Sequence, residues 1–379
     1  MTLRPASPEE VGAAVRGAAG GGARLLPRGG GSKPALSTPA EGVASLDLSG
    51  LSGVLEYAPE EYTFTALAGT RVAAVADLLA ERGQYLPFDP LLAPQGATLG
   101  GTVAAGANGP GRQRYGGVRD FLLAARFVDG AGSLVRGGAK VVKNAAGFDL
   151  PKLLVGSIGR LAVLVELTFK VFPAPEAYAT LAAAYPGLDA ALADVVRLAA
   201  SPLELHALDL EPAGTSGWTL WARLGGLAEA LPARITRLRD FLLAPGGGAM
   251  AAEVVAAPAD EELWQRVKGL DWVPPGRALV KIPLTPRRIP ALEARLARLH
   301  GVEARRRYSA GGQVAWLAWP VAAADPWTAE LDALLRDLDL SGLALLGPPG
   351  PVRLGVDPGA PLACRVKRAL DPHARFLDL

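Results

Sequence analysis

The chain is 379 residues long, more than one hydrophobic core comfortably holds, so two domains are expected. Its 39 basic and 37 acidic residues leave a net charge of +2, with none of the cationic surplus that binding to a nucleic-acid backbone draws on. The single cysteine, Cys364, excludes an internal disulfide, a thiolate zinc site and an iron–sulfur cluster held by this chain alone.

The N-terminal "MTLRPASPEEVGAAVRG" has no basic stretch followed by an apolar run, so it is not read as a signal peptide. It reads as a helix start, with Ser7 as N-cap, Pro8 at the first position and Glu10 completing a capping box. "ARLLPRGGG" runs from a strand into a glycine turn, and "YTFTALAG" is a strand. "TRVAAVADLLAERG" is an amphipathic helix with Val72, Val75, Leu78 and Leu79 on its apolar side and Gly83 closing it. "FLLAARFVDGAGSLVRGG" reads as two strands joined at Asp129-Gly130, "DLPKLLVGSIG" as a short helix capped by Asp149, and "LAVLVELTFKVFP" as a long strand.

Composition then changes. Pro173, Pro175 and Pro186 punctuate the chain, all seven tryptophans lie between Trp218 and Trp327, and no histidine precedes His206. Beyond the change, "GWTLWARLGG", "RALVKIPLTP" and "QVAWLAWPV" read as strands, and "LAEALPARITRLRDFLL", "IPALEARLARLHG" and "PWTAELDALLRDL" as helices. The tail "PLACRVKRALDPHARFLDL" is an amphipathic helix with an Asp-Pro stop. The longest apolar candidate, "FLLAPGGGAMAAEVVAAP", is broken by Pro245, glycines and Glu253, so no membrane span is expected and the chain is read as soluble and cytoplasmic. Methionine, cysteine and asparagine are scarce, which suggests a thermophile, with GC-rich coding as the plainer source. The only two asparagines, Asn108 and Asn144, both fall in glycine-rich stretches.

Those stretches invite a phosphate reading, yet the two common nucleotide fingerprints fail. "GAGSLVRGG" has Val135, and "GPGRQRYGG" has Arg114, where G-x-G-x-x-G needs its third glycine, and no Gly-Lys-Ser/Thr occurs. Four separate loops remain: "PRGGGSK" at 27–33, "GATLGG" at 96–101, "AGANGPG" at 105–111 and "GSIG" at 156–159. Successive glycine N–H groups can turn inward as a nest for an anion, and "GATLGG" can open a short helix. A tight turn explains any one loop. Four in one half of the chain favour a long ligand threaded past them.

"LLPRGGGSK", "LPFDPLLAPQGATLGGTVAAGANGPGRQRYGGVRDFLLAARFVDGAG", "GGAKVVKNAAGFDLPKLLVGSIGRLAVLVELTFKVFPAP" and the terminal "VKRALDP" together resemble the FAD-binding domain of the vanillyl-alcohol-oxidase/p-cresol-methylhydroxylase (PCMH-type) family. Within that family the likeness is to the FAD-binding E subunits of bacterial glycolate oxidase, and it covers residues 25–175 well. The resemblance implies an α+β fold. A PCMH-type FAD-binding domain of two α+β subdomains would span 1–175, an α+β cap or partner domain 176–348, and a C-terminal segment returning to the FAD domain 349–379. Arg28, Gly29, Gly30, Gly31 and Ser32 would form the pyrophosphate loop. Gly96, Ala97, Thr98, Gly100 and Gly101, with Pro94 before them, would flank the diphosphate and ribityl chain. Gly106, Ala107, Asn108, Gly109, Tyr115 and Gly116 would line the isoalloxazine side, and Gly156, Gly159 and Val163 the adenine end.

Many family members attach FAD through a histidine, but neither glycine loop here has one, so non-covalent FAD is expected. Cys364 is read as a small buried hydrophobe of the tail helix. The tail also lacks the Asn-Pro-Gly ending common after "LDP". The implied activity is oxidation of the CH–OH group of a 2-hydroxy acid, which needs a cation for the carboxylate and a base for the hydroxyl. His206, His300 and His373 have no metal-ligand spacing, so no metal is expected and His206 is read as structural. Arg112, Arg114 and Arg119 could hold an anion or form a solvated basic loop, Lys143-Asn144 could reach the flavin edge, and Arg305, Arg306 and Arg307 read as an exposed strand end. Catalytic residues stay unassigned. The implied partners are a second flavoprotein subunit, an iron–sulfur subunit and a small 2-hydroxy-acid substrate, with inner-membrane association only through those subunits. The alternative is a flavin-bearing scaffold or electron relay whose partner holds the substrate site.

Overall fold

The computed structural model describes all residues except 40, 140–148, 215–216, 300–302 and 322–326, so Lys143, Asn144 and His300 lie outside the described residues. The chain folds into two compact units. The first comprises Met1–Gly109, Gly116–Ala174 and Asp357–Leu379, and the second Pro110–Tyr115 and Pro175–Val356.

In the first unit a three-stranded parallel sheet orders Thr2–Leu3, Val43–Asp47 and Arg24–Arg28. Beside it a five-stranded antiparallel sheet orders Val54–Ala58, Thr63–Leu67, Val163–Lys170, Leu122–Val128 and Leu134–Gly138. The helix Pro8–Gly21 starts as its sequence predicts: the Ser7 hydroxyl accepts from the Glu10 N–H at 3.2 Å. The Glu10 carboxylate reaches one residue further back than a capping box requires, accepting from Ala6 N–H at 2.8 Å. Val11 and Val15 of this helix, Leu25 and Leu46 of the parallel sheet, and Val128, Val163 and Val165 of the antiparallel sheet share one core. Val163–Lys170 is the central strand of its sheet and is buried along most of its length, because both of its faces are covered.

The hairpin after Val128 forms, but as a longer loop than Asp129-Gly130 alone suggests. The Asp129 carboxylate accepts from the N–H groups of Ala131 (3.0 Å) and Ser133 (2.8 Å), so the aspartate side chain organises the turn. Gly130 meets the C-terminal segment instead, its N–H donating to Leu370 O at 2.8 Å. That segment, the helix Ala360–Leu370 and the residues after it, closes the first unit. Lys367 Nζ donates to Arg160 O (2.7 Å), Asp371 Oδ2 (2.5 Å) and Phe376 O (3.1 Å), while the Phe376 ring enters the core. Cys364 departs from expectation. It is exposed, because the buried side of this helix is defined by Lys367 and not by the cysteine.

The second unit carries a nine-stranded, wholly antiparallel sheet ordered Ala251–Ala256, Ala177–Tyr185, Gly217–Gly226, Ala207–Ala213, Arg305–Ser309, Val314–Pro320, Arg277–Pro283, Ser341–Leu346 and Arg353–Gly355. The chain order hides a repeat. Residues 177–256 and 277–346 each run strand, helix, strand, strand, helix, strand, and each lays its strands in the spatial order fourth, first, third, second. The two halves meet where Ala207–Ala213 pairs with Arg305–Ser309, a seam with one ladder pair, Leu210 with Tyr308.

Side chains reinforce that seam. Arg307 Nε donates to Asp209 Oδ2 (2.7 Å), its Nη1 to Glu211 Oε2 (2.8 Å), and the Ser309 hydroxyl to Asp209 Oδ2 (2.8 Å). The expected exposed end at Arg305–Arg307 therefore holds only for Arg305. Arg306 forks onto Glu293, and Arg307 is buried, because the strand is internal to the sheet. Burial pushes the Asp209 carboxyl up, opposed by the Arg307 charge and by hydrogen bonds from Arg307 and Ser309. His206 is buried as read, edge-on to Tyr178 (4.9 Å) and Tyr115 (5.4 Å). No helix among the described residues is long and apolar enough to cross a membrane.

Candidate functional site

The first unit holds a cleft into which three of the four glycine loops open. One wall is Pro27–Lys33, where the strand Arg24–Arg28 ends in consecutive glycines. The second is Thr98, Gly100 and Gly101 with Ala104 and Ala105 behind them. Thr98 caps the helix Leu99–Ala105, its hydroxyl accepting from Gly101 N–H at 3.2 Å. The third wall is Ile158, Gly159, Ala162 and Leu164, and Leu36, Leu48 and Ala68 make the remainder apolar. The 156–159 loop is fastened to the helix by Gly156 N–H to Val103 O (3.0 Å) and Ile158 N–H to Ala104 O (2.8 Å).

The loops are bare partly because they lie against each other. A Cβ on Gly30 would stand 1.8 Å from the Gly96 carbonyl oxygen, and one on Gly29 would stand 2.3 Å from Thr98 Oγ1. Close approach of two backbones is thus the first reason for glycine at Gly30, and the Thr98 side chain the first reason at Gly29, ahead of any ligand. A second cavity lies beside Gly30 and Thr98 and is lined also by Ser49, Ser52 and Arg71.

Of the residues assigned to a cofactor from sequence, Arg28, Gly29, Gly30, Gly31, Ser32, Thr98, Gly100, Gly101 and Gly159 line the cleft. Gly96 and Ala97 sit behind it, Gly96 against Gly30 and Ala97 accepting from Val72 N–H at 2.8 Å, and Pro94 is exposed. Val163 is core, while its neighbours Ala162 and Leu164 face the cleft, as the two-residue period of a strand requires. Gly106 backs onto Gly156, and Gly109 donates to Phe88 O and Asp89 O, in the protein interior. Ala107 is fully buried with them. Asn108 ties this region together: its Nδ2 donates to Gly106 O (3.1 Å) and its Oδ1 accepts from Val118 N–H (2.5 Å). Gly116 takes a left-handed φ of +88° beside Asp120, whereas Tyr115 belongs to the second unit.

The arginine trio is divided. Arg114 donates to Glu204 O at 2.6 Å and pairs with the Glu204 carboxylate; Arg119 is exposed on the first unit. Arg112 lies near Lys281, and burial, then the Arg112 charge, pushes that ammonium down to about 8. No group of three or more His, Cys, Asp or Glu among the described residues could hold a metal ion.

Sequence reasoning missed Lys33, although it stands in the quoted loop. It is buried in the cleft wall, and burial pushes its ammonium down to about 8. The only signal was its place directly after "GGGS", and surface exposure is the ordinary expectation for a lysine.

Consecutive glycine loops, a fastened short helix and an apolar floor make a cleft suited to a dinucleotide. The FAD binding domain family matches residues 1–138. Among individual proteins, the chain is similar to glycolate oxidase subunit GlcE of Escherichia coli, 39% identical over 48% of this chain and 52% of the relative. It is also similar to glycolate oxidase subunit GlcD of Bacillus subtilis, 32% identical over 49% of this chain and 40% of the relative. The matches thus span about half or less of these relatives' own lengths. The solved structure of an alkyldihydroxyacetonephosphate synthase superposes with a TM-score of 0.72 over 99% of this chain and 75% of that one, at 17% identity, which shows the shared fold.

Proposed function

We propose that the chain is the FAD-binding subunit of a glycolate or related 2-hydroxy-acid oxidoreductase, passing electrons from FAD to a partner subunit. The observation that carries this reading is the cleft where residues 27–33, 98–101 and 158–159 converge, the first two of these segments falling within the residues 1–138 matched to the FAD binding domain family. Their backbone N–H groups and the Thr98 hydroxyl would receive the diphosphate, and the apolar floor would take the adenine end. Bound FAD would supply hydride and electron transfer chemistry. The chain's own part is to hold the diphosphate, seat the rings and keep water from the apolar wall.

The flavin is held without a covalent bond in this reading. None of the described residues lining the cleft is His, Cys or Tyr, and Cys364 is on the exposed side of the tail helix. Acid precipitation of the yellow protein should release all of its flavin to the supernatant. Colour remaining with the polypeptide would sink the non-covalent assignment.

The partners are proposed to be a second flavoprotein subunit and an iron–sulfur subunit. One cysteine cannot ligate an iron–sulfur relay, so electrons leaving the flavin need another carrier. The chain would work in the cytoplasm and meet the membrane only through these subunits. Purified alone, it should oxidise glycolate slowly or not at all with an artificial acceptor, and co-purification with the partners should raise turnover at least tenfold. Full-rate oxidation by the isolated chain would make it a self-sufficient oxidase. If substitutions confined to a partner abolish substrate binding, this chain is the relay and the partner holds the substrate site.

A further inference from the structure

We infer that the Lys33 ammonium is the charged contact for the diphosphate of the ligand in this cleft, an inference that rests on the flavin reading above. Lys33 is 6% exposed and lines the cleft between the glycine loop and apolar Leu36, Leu48 and Ala68. An ammonium has three N–H donors, and a buried one normally faces a carboxylate or several carbonyls. Among the described residues Lys33 has one hydrogen bond, to the Ser32 hydroxyl at 3.4 Å, which is long for that type. Two donors and a full charge are left at the wall of the cleft that the glycine loops also line. Placing a cation there without a counter-charge is costly, and an anionic ligand removes the cost when it binds.

Among the described residues, no neighbouring group offers the charge instead. Arg28, on the same loop, is the one other charged residue lining the cleft among the described residues, and it has the same sign. The helix after Thr98, the segment carrying Ala162 and Leu164, and the segments carrying Leu48 and Ala68 bring no titratable side chain to it. Asp47 and Arg160, on the bordering strand and loop, are outside its lining; Asp47 engages Ser49 and Arg4. Backbone N–H groups alone bind phosphate at any pH. A lysine adds an attraction that vanishes when it loses its proton, and burial pushes Lys33 down to about 8.

The test is the dissociation constant of FAD, and separately of ADP, for apo-protein between pH 6.5 and 9.5. ADP carries the diphosphate without the flavin ring, so a slope common to both ligands reports the diphosphate contact. Affinity should be level below pH 8 and weaken above it by up to tenfold per pH unit, until the pKa of the complexed lysine is reached. Lys33→Met should weaken both ligands roughly 10- to 100-fold at pH 7, the usual worth of a charge-assisted hydrogen bond, and should remove the slope. Lys33→Arg, which stays charged, should bind more tightly than Lys33→Met and also lack the slope. A level wild-type profile, or a folded Lys33→Met within threefold of wild type at pH 7, overturns the inference while leaving the flavin reading intact. Should Lys33→Met fail to fold, the wild-type profile decides alone. A wild-type chain that binds neither FAD nor ADP overturns the flavin reading and this inference with it.

Discussion

Gly30→Val should leave the first unit unable to hold flavin. The Cβ alone would stand 1.8 Å from the Gly96 carbonyl oxygen, and both atoms belong to backbone, so no rotamer change relieves the contact. The 28–32 and 96–101 loops must part, which breaks the cleft at the junction both proposed diphosphate walls share. Overpacking of this kind costs on the order of 1–3 kcal/mol before any ligand contact is lost. We expect flavin affinity to fall at least 100-fold, read as loss of the bound flavin absorption after desalting. Gly17→Ala is the matched control: it lies on the exposed side of the N-terminal helix with nothing within 4 Å of its Cβ, and it should keep full flavin content. Stoichiometric FAD at wild-type affinity in Gly30→Val would refute the placement.

The second large effect is expected far along the chain, at Arg307→Met. Asp209 is fully buried, and Arg307 supplies its charge partner at the seam where the two repeated halves share one ladder pair. Removing the guanidinium strands the Asp209 carboxylate and releases Glu211. Breaking a buried pair on one side typically costs about 3–5 kcal/mol, whereas replacing both partners by apolar groups is far milder. Arg307→Met should therefore lower the urea midpoint of the second unit markedly, and Arg307→Met combined with Asp209→Leu should recover part of the loss. Tryptophan emission reads this unit selectively, since all seven tryptophans lie between residues 218 and 327. An unchanged midpoint in the single variant would show that the seam is held by packing alone.

These two sites differ in how much of them the sequence disclosed. The glycine loop at Gly29–Gly31 was legible because three adjacent glycines after an apolar run have few structural uses. The seam was not. "RRRYS" looks like a solvated strand end, since three consecutive arginines alternate faces, and nothing local reveals that the facing strand brings Asp209 and Glu211. Val163 shows a subtler limit. The strand was evident, but which parity faces the cleft depends on the sheet packed behind it, and that choice falls to Ala162 and Leu164. Lys33 was passed over for a similar reason: burial of a lysine is a property of its surroundings and not of its neighbours in the chain.

By itself the sequence determined what local chemistry dictates. Caps at Ser7 and Asp149, the strands around the Asp129 turn, the glycine loops and the segregation of tryptophan all follow from residue type and short-range spacing. Tertiary structure decided which of those parts meet. It brought Phe376 and Lys367 back across the whole chain to close the first unit, and it counted Pro110–Tyr115 with the second. It folded residues 177–346 into two copies of one topology whose sequences show no obvious repeat. The physical reason is range. A cap or turn is satisfied within a few residues by hydrogen bonds that any sequence reader can count, whereas burial, charge pairing and strand parity are set by surfaces contributed from residues hundreds of positions away.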